Sequence, residues 1–151
     1  MEFIIISGSS ELINDIKPMW LELQKHHAEK SEFFSKEMAA VEFEKRVADI
    51  LENADKVLVN IARYSGDSNL GYCITTIRKD RGEIDSLFVH KNARKLGLGK
   101  ILMQNAIEWL DDNNVRSKTL SVVVGNEEVA EFYKSVGFYP RTVTYYHKED
   151  F

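Results

Sequence analysis

The sequence predicts one α/β domain, residues 1–151, built around a mixed sheet. A chain of 151 residues can form a compact domain that buries about two-thirds of its unfolded surface. Its 44% apolar and 29% charged residues are typical of a globular protein. Strand-like and helix-like patterns follow in the order strand, two helices, three strands, helix, strand, helix and strand. This order predicts helices packed on a sheet of mixed direction.

The N-terminal third predicts one strand and two helices. The apolar run that ends near Gly8 predicts a strand, and it is too short and lacks the basic start of a signal peptide. Ser9 or Ser10, followed by apolar residues at helical spacing, predicts a helix reaching His27. A second helix is expected over Met38 to Leu51. No stretch approaches the roughly 20 apolar residues of a membrane span, so we expect a cytoplasmic protein.

The middle of the chain changes to strand-like spacing. Residues 56–64 and 70–77 predict two strands of a hairpin, joined by the turn-rich segment 65–69. Residues 83–90 predict the next strand. Cys73 has no second cysteine to pair with, and its apolar surroundings predict a small buried side chain rather than a catalytic thiol.

The second half predicts a surface helix followed by a strand, a helix and a strand. The apolar stripe of the first helix consists of Leu98, Ile101, Leu102, Ala106, Trp109 and Leu110. Residues 119–124 predict a strand, and Asn126 is placed to cap the helix over 127–136. Gly137 can end that helix with a positive φ. Residues 139–147 predict a closing strand.

The charge of the chain narrows the class of partner. The formal net charge of -4 argues against a nucleic-acid partner, because such binding depends on neutralising phosphates. A mildly acidic protein is better suited to a cationic small molecule.

The junction before the surface helix combines glycines with basic side chains. A helix start offers unpaired N–H groups and partial positive charge, which favour an anion. Gly97 and Gly99 lack Cβ atoms that would block its approach, and Arg94, Lys95 and Lys100 add charge. The alternative is a tight turn with solvated basic residues.

Two familiar phosphate loops do not match this junction. The dinucleotide fingerprint needs a third glycine where Leu102 stands. A P-loop needs Ser or Thr where Ile101 follows Lys100, and a first glycine where Arg94 stands. Both loops are therefore excluded.

A third pattern does match, because Arg94, Gly97 and Gly99 form R-x-x-G-x-G behind a strand and before a helix. A second set of motif residues follows downstream: Asn126, Ala130, Phe132, Tyr133, Gly137 and Phe138. Together they resemble the GNAT superfamily of acyl-CoA-dependent N-acyltransferases over most of the chain. The loop differs from the usual family pattern at two positions. Ala93 stands where an aromatic residue often precedes the arginine, and Lys95 stands where glycine often follows it. Neither change removes a backbone N–H donor.

The resemblance implies a fold and a co-substrate. The fold is a mostly antiparallel central sheet of about six to seven strands with about four flanking helices, splayed between the strands at 83–90 and 119–124. The co-substrate is acetyl-CoA, with its pyrophosphate on main-chain N–H groups from Leu96 to Lys100 and its pantetheine arm along Val89. The implied cofactor-binding residues are Leu87, Phe88, Val89, Arg94, Lys95, Leu96, Gly97, Leu98, Gly99, Lys100, Asn126 and Tyr133.

The implied chemistry is direct transfer of an acetyl group to an amine. The main-chain N–H of Leu87 would stabilise the developing oxyanion. The amine must first lose a proton, and strand alternation places Glu83, Asp85 and Leu87 on one face. Asp85 is slightly favoured as the base, although either carboxylate could act through water or only attract the cation. Both could also be solvated carboxylates at a strand start.

Tyr133 matches the family's general acid, which protonates the departing thiolate. Its structural alternative is a core aromatic beside Phe132. Asn126 would contact the cofactor backbone. The reaction requires no metal and no covalent enzyme intermediate.

The acceptor is the least defined part. We expect a small-molecule primary amine, with a protein or peptide N-acetyltransferase or a non-catalytic CoA-binding sensor as alternatives. The family builds its acceptor site from the first two helices and the last strands, and the candidates there are Trp20, His26, His27, Glu29, Phe33, Phe34, Tyr145, Tyr146 and His147. The His pair could bind metal, shuttle protons or cap a helix end. A homodimer is also expected from the family.

Overall fold

The computed structural model describes residues 2–64 and 68–150. Its strands form one five-stranded open sheet in which spatial order follows chain order. They are β1 (Phe3–Gly8), β2 (Lys56–Tyr64), β3 (Asn69–Arg78), β4 (Arg81–Val89) and β5 (Ser117–Leu120). The pairs from β1 to β4 are antiparallel, whereas β5 is parallel to β4. The predicted mixed, mostly antiparallel α/β sheet is therefore confirmed.

Helices cover both faces of the sheet. They are α1 (Lys17–Lys30), α2 (Ser35–Ala39), α3 (Phe43–Asn53), α4 (Leu98–Asp112) and α5 (Ala130–Ser135). Short 3-10 turns occupy Ser10–Ile16, Lys91–Leu96, Glu127–Val129 and Lys148–Asp150. Among the described residues, no helix is both long and apolar enough to cross a membrane.

The hydrophobic core has two parts, one on each face of the sheet. On one face α4 buries the predicted stripe completely at Leu98, Leu102, Ala106 and Leu110, with 0% exposure at each. The spacing of four residues keeps these side chains on one side of the helix. The part on the other face includes Ile13, Ile16, Met19, Phe43, Tyr72 and Phe88. Each fully buried large side chain contributes about 1.5–3 kcal/mol.

Several element predictions need correction. The sheet has five strands rather than six to seven, because residues 139–147 form no strand and are exposed throughout. The strand predicted over 119–124 ends at Leu120. The helix predicted over Met38 to Leu51 is two helices, α2 and α3, and the first helix begins as a 3-10 turn. The predicted turn at 65–69 lies mostly outside the described residues.

A β-bulge in β4 lies where the pairing of β4 with β5 ends. Ile74 and Thr75 are consecutive in β3, but they pair with Ser86 and Ile84 of β4, so Asp85 is the extra residue. Pairing of β4 with β5 stops at Ile84, directly before the bulge. A bulge bends its strand and increases its twist. The predicted splay between these strands is therefore present and has a local cause.

Candidate active site

A cavity lies where β4 and β5 separate. It contains about 390 Å³ of empty space, part of it open to solvent. Its walls come from α1, β4, the segment after β5, and the start of the last helical region. The lining residues are Leu23, His27, Ile84, Asp85, Ser86, Leu87, Leu120, Ser121, Val122, Asn126, Val129 and Tyr133. The gap in the sheet thus collects polar side chains from several elements.

The backbone of β4 turns donors and acceptors toward this gap. The N–H of His90 donates to the carbonyl of Leu70 in β3 at 2.8 Å. Because backbone groups alternate along an antiparallel strand, those of Leu87 and Val89 face away from β3. The Val89 carbonyl accepts a bond from Nε of Arg94 at 3.2 Å. The predicted backbone contacts for a pantetheine arm therefore line the open side of β4.

The start of α4 is open, as the glycine motif predicts. Gly97 has φ +75°, in the left-handed region that favours glycine, and a Cβ built there meets no atom within 4 Å. Within the described residues no side chain caps this helix, whose first internal bond runs from Ile101 N–H to the Gly97 carbonyl at 3.2 Å. Arg94, Lys95 and Lys100 are exposed around it. Exposed Leu96 and buried Leu98 flank Gly97.

Gly99 lies at the start of α4 and also at a close contact between α4 and α5. A Cβ at this position would lie 3.2 Å from Cζ of Phe132 and 3.8 Å from Cγ2 of Val89. A larger residue at this position would therefore require the Phe132 ring to shift by a few tenths of an ångström. Phe132 also packs edge-on against Tyr133, with ring centroids 5.3 Å apart. The fit at Gly99 consequently helps to place Tyr133.

Tyr133 reaches the cavity from α5 while its ring packs against the core. Burial, and to a lesser degree the nearby Cys73, raises the pKa of Tyr133 to about 12. Its hydroxyl therefore stays protonated at neutral pH and can donate a proton. The role of a general acid and a core position are compatible at this residue.

Asp85 is buried and paired. Its side chain is 5% exposed, and its carboxylate forms a salt bridge and hydrogen bond with Arg46 of α3. Burial raises the pKa of Asp85, while the Arg46 guanidinium opposes that rise. Arg46 is not predicted from the sequence, because a single arginine on the polar side of a helix carries no signal for a partner 39 positions away.

Glu83 and Leu87, the two other residues of β4 with predicted roles, do not share the buried surroundings of the Asp85 side chain. Glu83 is exposed and is absent from the cavity lining. Partial burial of its carboxyl, together with the Asp85 charge, raises the pKa of Glu83 against the effect of Arg46. Leu87 packs with the α4 part of the core, whereas Asp85 faces α3. The prediction that all three share a face is wrong for Leu87, because the bulge at Asp85 shifts the alternation.

Asn126 lies in the site and holds the predicted N-cap position of the turn Glu127–Val129, but its side chain makes no capping bond. It is 5% exposed and lines the cavity. Its Oδ1 lies 3.2 Å from Nε2 of His26. Glu127 instead accepts a bond from the N–H of Gly125 at 2.8 Å. Gly137 does end the helical region with φ +96°, as predicted.

His27 is the acceptor-region candidate that reaches the cavity. Burial lowers the pKa of His27, and the neighbouring His26 lowers it further. The sequence signal for this position of His27 is its spacing from Leu23, since residues four apart share a helix face. Both side chains line the cavity.

The other acceptor-region aromatics lie elsewhere. Trp20 packs edge-on against Phe43 with centroids 5.3 Å apart. Nζ of Lys148 lies 4.4 Å from the ring centre of Phe34, and Tyr145 is 92% exposed. These residues do not line the cavity.

Cys73 is a buried free thiol, as predicted. Burial raises its pKa to about 12, so the reactive thiolate is disfavoured. Among the described residues, no three His, Cys, Asp or Glu side chains are arranged to hold a metal ion.

Comparison with known proteins gives a family match. The model of the Acetyltransferase (GNAT) family matches residues 17–138, more than half of the chain. The matched range contains the described site residues and α1, β4 and α4.

Solved structures share the fold at low identity. A Pyrococcus furiosus protein assigned as an acetyl transferase has 23% identity and a TM-score of 0.74, covering 97% of this chain and 99% of that one. AAC(6')-Iy, in complex with the bisubstrate analog CoA-S-monomethyl-acetylneamine, has 18% identity, a TM-score of 0.66, and coverage of 97% and 98%. Glucosamine-6-phosphate N-acetyltransferase from Arabidopsis thaliana has 17% identity, a TM-score of 0.66, and coverage of 97% and 98%.

Proposed function

The chain belongs to the acetyltransferase (GNAT) family, and on that premise we propose that it transfers the acetyl group of acetyl-CoA to a primary amine of a small molecule. Acetyl-CoA is the co-substrate. The observation that carries the proposal is the gap beside β4, where outward-turned backbone, a protonated tyrosine and an acidic side chain line one cavity. Donor and acceptor would both enter this gap and react there directly.

The residues at the gap fit the co-substrate. The uncapped start of α4 would hold its pyrophosphate on the N–H groups from Leu96 to Lys100, with Arg94 and Lys95 adding charge. The free side of β4 at Leu87 to Val89 would hold its extended arm, with Asn126 and Tyr133 on the opposite wall. The bound molecule supplies an acetyl group activated as a thioester.

The side chains and backbone have separate roles in this proposal. The N–H of Leu87 would donate to the carbonyl oxygen as negative charge develops there, and losing one such donor typically costs about 100-fold or more in rate. Tyr133 would donate its proton to the departing sulfur. Asp85 and Glu83 would attract the cationic amine to the cavity.

Small-molecule acceptors are supported by the charge of the site and by the fold neighbours. AAC(6')-Iy is an aminoglycoside N-acetyltransferase, and the Arabidopsis thaliana enzyme acetylates glucosamine-6-phosphate. The cavity of this chain has Asp85 in its wall, with Glu83 on the same strand, which favours a cationic acceptor. The class of amine is left to experiment.

We further propose that two copies pair through the C-terminal segment 139–147. This segment exposes Tyr139, Val143 and Tyr145 at 70%, 65% and 92%. Apolar side chains exposed at this density in one segment indicate a protein contact. The cytoplasmic location and the absence of nucleic-acid and membrane partners stay predictions.

The proposal is tested by measuring CoA thiol release with a panel of polyamines, amino acids, aminoglycosides and short peptides. We expect turnover with one class of small amine. Turnover with peptides alone would favour the peptide enzyme, and CoA binding without any turnover would favour the sensor.

A tyrosine variant tests the assigned chemistry. Tyr133→Phe should lower kcat by about 100-fold, because the general acid is lost, while leaving the Kd for CoA nearly unchanged by calorimetry. The matched control is Tyr64→Phe, at the exposed end of β2, which should behave like the parent. Equal rates for Tyr133→Phe and the parent would remove the acid role.

A further inference from the structure

We infer that His27 is the group that takes the proton from the acceptor amine. The inference rests on the proposed function and deepens it, since it names a catalytic residue from α1 rather than from β4. It starts from the cavity, in which His27 shares the lining with Asp85, Leu87 and Tyr133.

The last turn of α1 is held against the segment before α5. Nε2 of His26 lies 3.2 Å from Oδ1 of Asn126, and Nζ of Lys30 lies 3.5 Å from a carboxylate oxygen of Glu128. A Cβ on Gly125, which has φ +106°, would come within 2.2 Å of the Lys30 carbonyl. This contact leaves little freedom for the turn that carries His27, so its ring has a defined place in the cavity wall.

The surroundings of His27 favour the neutral ring. Burial lowers its pKa first, and the adjacent His26 adds to the effect. The titratable groups on the facing walls are Asp85 from β4 and Tyr133 from α5, while Glu128 is paired with His26 and Lys30 rather than with His27. A neutral imidazole with a pKa below about 6.5 has a free lone pair at neutral pH.

The two carboxylates are less suited to this role. The carboxylate of Asp85 is already bound by Arg46, so an incoming ammonium would have to compete with the guanidinium for it, and Arg46 opposes the rise in the pKa of Asp85 that burial causes. Glu83 is exposed and outside the cavity lining. Of these three groups, His27 alone both lines the cavity and lacks a salt bridge among the described residues.

Every proton of the reaction is accounted for when His27 takes this role. The ammonium of the acceptor gives one proton to His27 and becomes a free amine. The amine nitrogen bonds to the acetyl carbon, the carbon–sulfur bond breaks, and Tyr133 protonates the sulfur. The second nitrogen proton restores Tyr133, and His27 releases its proton to water. One amide, one CoA thiol and one proton result.

The test compares three histidine variants of the whole chain. With the amine selected from the panel, His27→Gln should lower kcat/KM by about 100-fold and abolish the fall in rate toward low pH. His26→Gln should move that fall to higher pH, because it removes the neighbour that lowers the pKa of His27. His147→Gln, in the exposed C-terminal segment and outside the cavity lining, should match the parent.

Two readouts do not depend on turnover. Calorimetry should give His27→Gln the CoA affinity of the parent, which shows that the variant is folded. NMR titration of the His27 ring in the free protein should give a pKa below about 6.5. A ring that titrates at or above that value, or a His27→Gln profile like that of the parent, overturns the inference. A parent that releases no CoA with any amine overturns the proposed function, and the proton role falls with it.

Discussion

The two side chains of the Asp85–Arg46 salt bridge are buried to very different degrees. The side chain of Asp85 is 5% exposed and that of Arg46 is 42% exposed, so the carboxylate loses most of its water on folding and the guanidinium keeps much of it. Burial nevertheless raises the pKa of Asp85 above its unfolded value. The protonated carboxyl is therefore more favoured in the folded chain than in the unfolded chain. Stability linked to this group is greatest below the unfolded pKa and falls as pH rises through the folded pKa.

Arg46→Ala should destabilise the protein more at neutral pH than in acid. Without Arg46 the buried carboxylate is unpaired, which should cost about 1–3 kcal/mol at about pH 7, less than for a pair that is fully buried. The cost should shrink toward about pH 4, where Asp85 becomes protonated. Urea unfolding at both pH values measures the difference.

The control for Arg46→Ala is Lys17→Ala. Lys17 of α1 pairs with Glu44 of α3, the helix that carries Arg46, but both side chains are exposed, at 44% and 68%. An exposed pair contributes little to stability, and its loss should not show the same dependence on acid. Equal costs for the two variants at neutral pH would show that the Asp85 pair is only a surface contact.

Residue-level predictions were accurate where the local pattern decides the outcome. Gly137 has the predicted positive φ, and Cys73 is buried, as their neighbours in sequence indicate. The face of Leu87 was wrong because a bulge depends on strand register, and one extra residue leaves no mark in the periodicity. Arg46 was missed for a related reason, since its contact with Asp85 joins elements distant in sequence.

At the level of elements, β4 is hydrogen-bonded to β3 along one edge, whereas its other edge pairs with β5 only as far as Ile84. Phe88 pairs with Tyr72 in β3, whereas Leu87 and Val89 turn their backbone groups toward the gap. An amide without a partner in the gap exchanges its hydrogen with little protection. The two classes of amide alternate along the strand.

CoA should protect the open amides selectively. In the free protein we expect fast hydrogen exchange at Leu87 and slow exchange at Phe88. Added CoA should slow exchange at Leu87 by about tenfold, the effect of one net hydrogen bond, and leave Phe88 nearly unchanged. NMR exchange at single residues measures this. A Leu87 amide already as slow as Phe88 without CoA would mean that the gap is closed.

Long, strongly periodic elements were predicted well. The α4 stripe repeats every four residues over the whole helix, and the apolar runs of β2 and β3 are long enough to mark two paired strands despite a register shift between Ala62 and Arg63. Residues 139–147 have the composition of a strand, but they form no strand among the described residues. The strand predicted there from composition was therefore wrong, because a strand also needs a neighbouring strand to pair with. The same applies to residues 121–124, which follow the last pair of β5 with β4 at Leu120.

On the scale of the whole molecule, two segments without strand partners are exposed. Val122 and Val124, after β5, are 38% and 62% exposed. Val143, in the C-terminal segment, is 65% exposed. An edge of this kind readily pairs with a strand from a second copy. The proposed pairing would cover the C-terminal segment, residues 139–147.

The native mass of the protein should be twice the 17.4 kDa of one chain. Val143→Asp should return it to a single chain, because a charge would be buried in the contact. Leu51→Asp, at a position of α3 that is 44% exposed, is the matched control and should leave the mass doubled. Light scattering after size exclusion measures all three, and a parent of single-chain mass would exclude the pairing.

Because the strands lie side by side in the order in which they occur along the chain, the sheet can assemble progressively during translation. The four antiparallel strands are complete when residue 89 has left the ribosome, well before α5 is synthesised. The nascent chain thus gains most of its sheet first and α5, which carries the proposed acid Tyr133, last. A ribosome stalled between these points would display an ordered meander that has no capacity to acetylate.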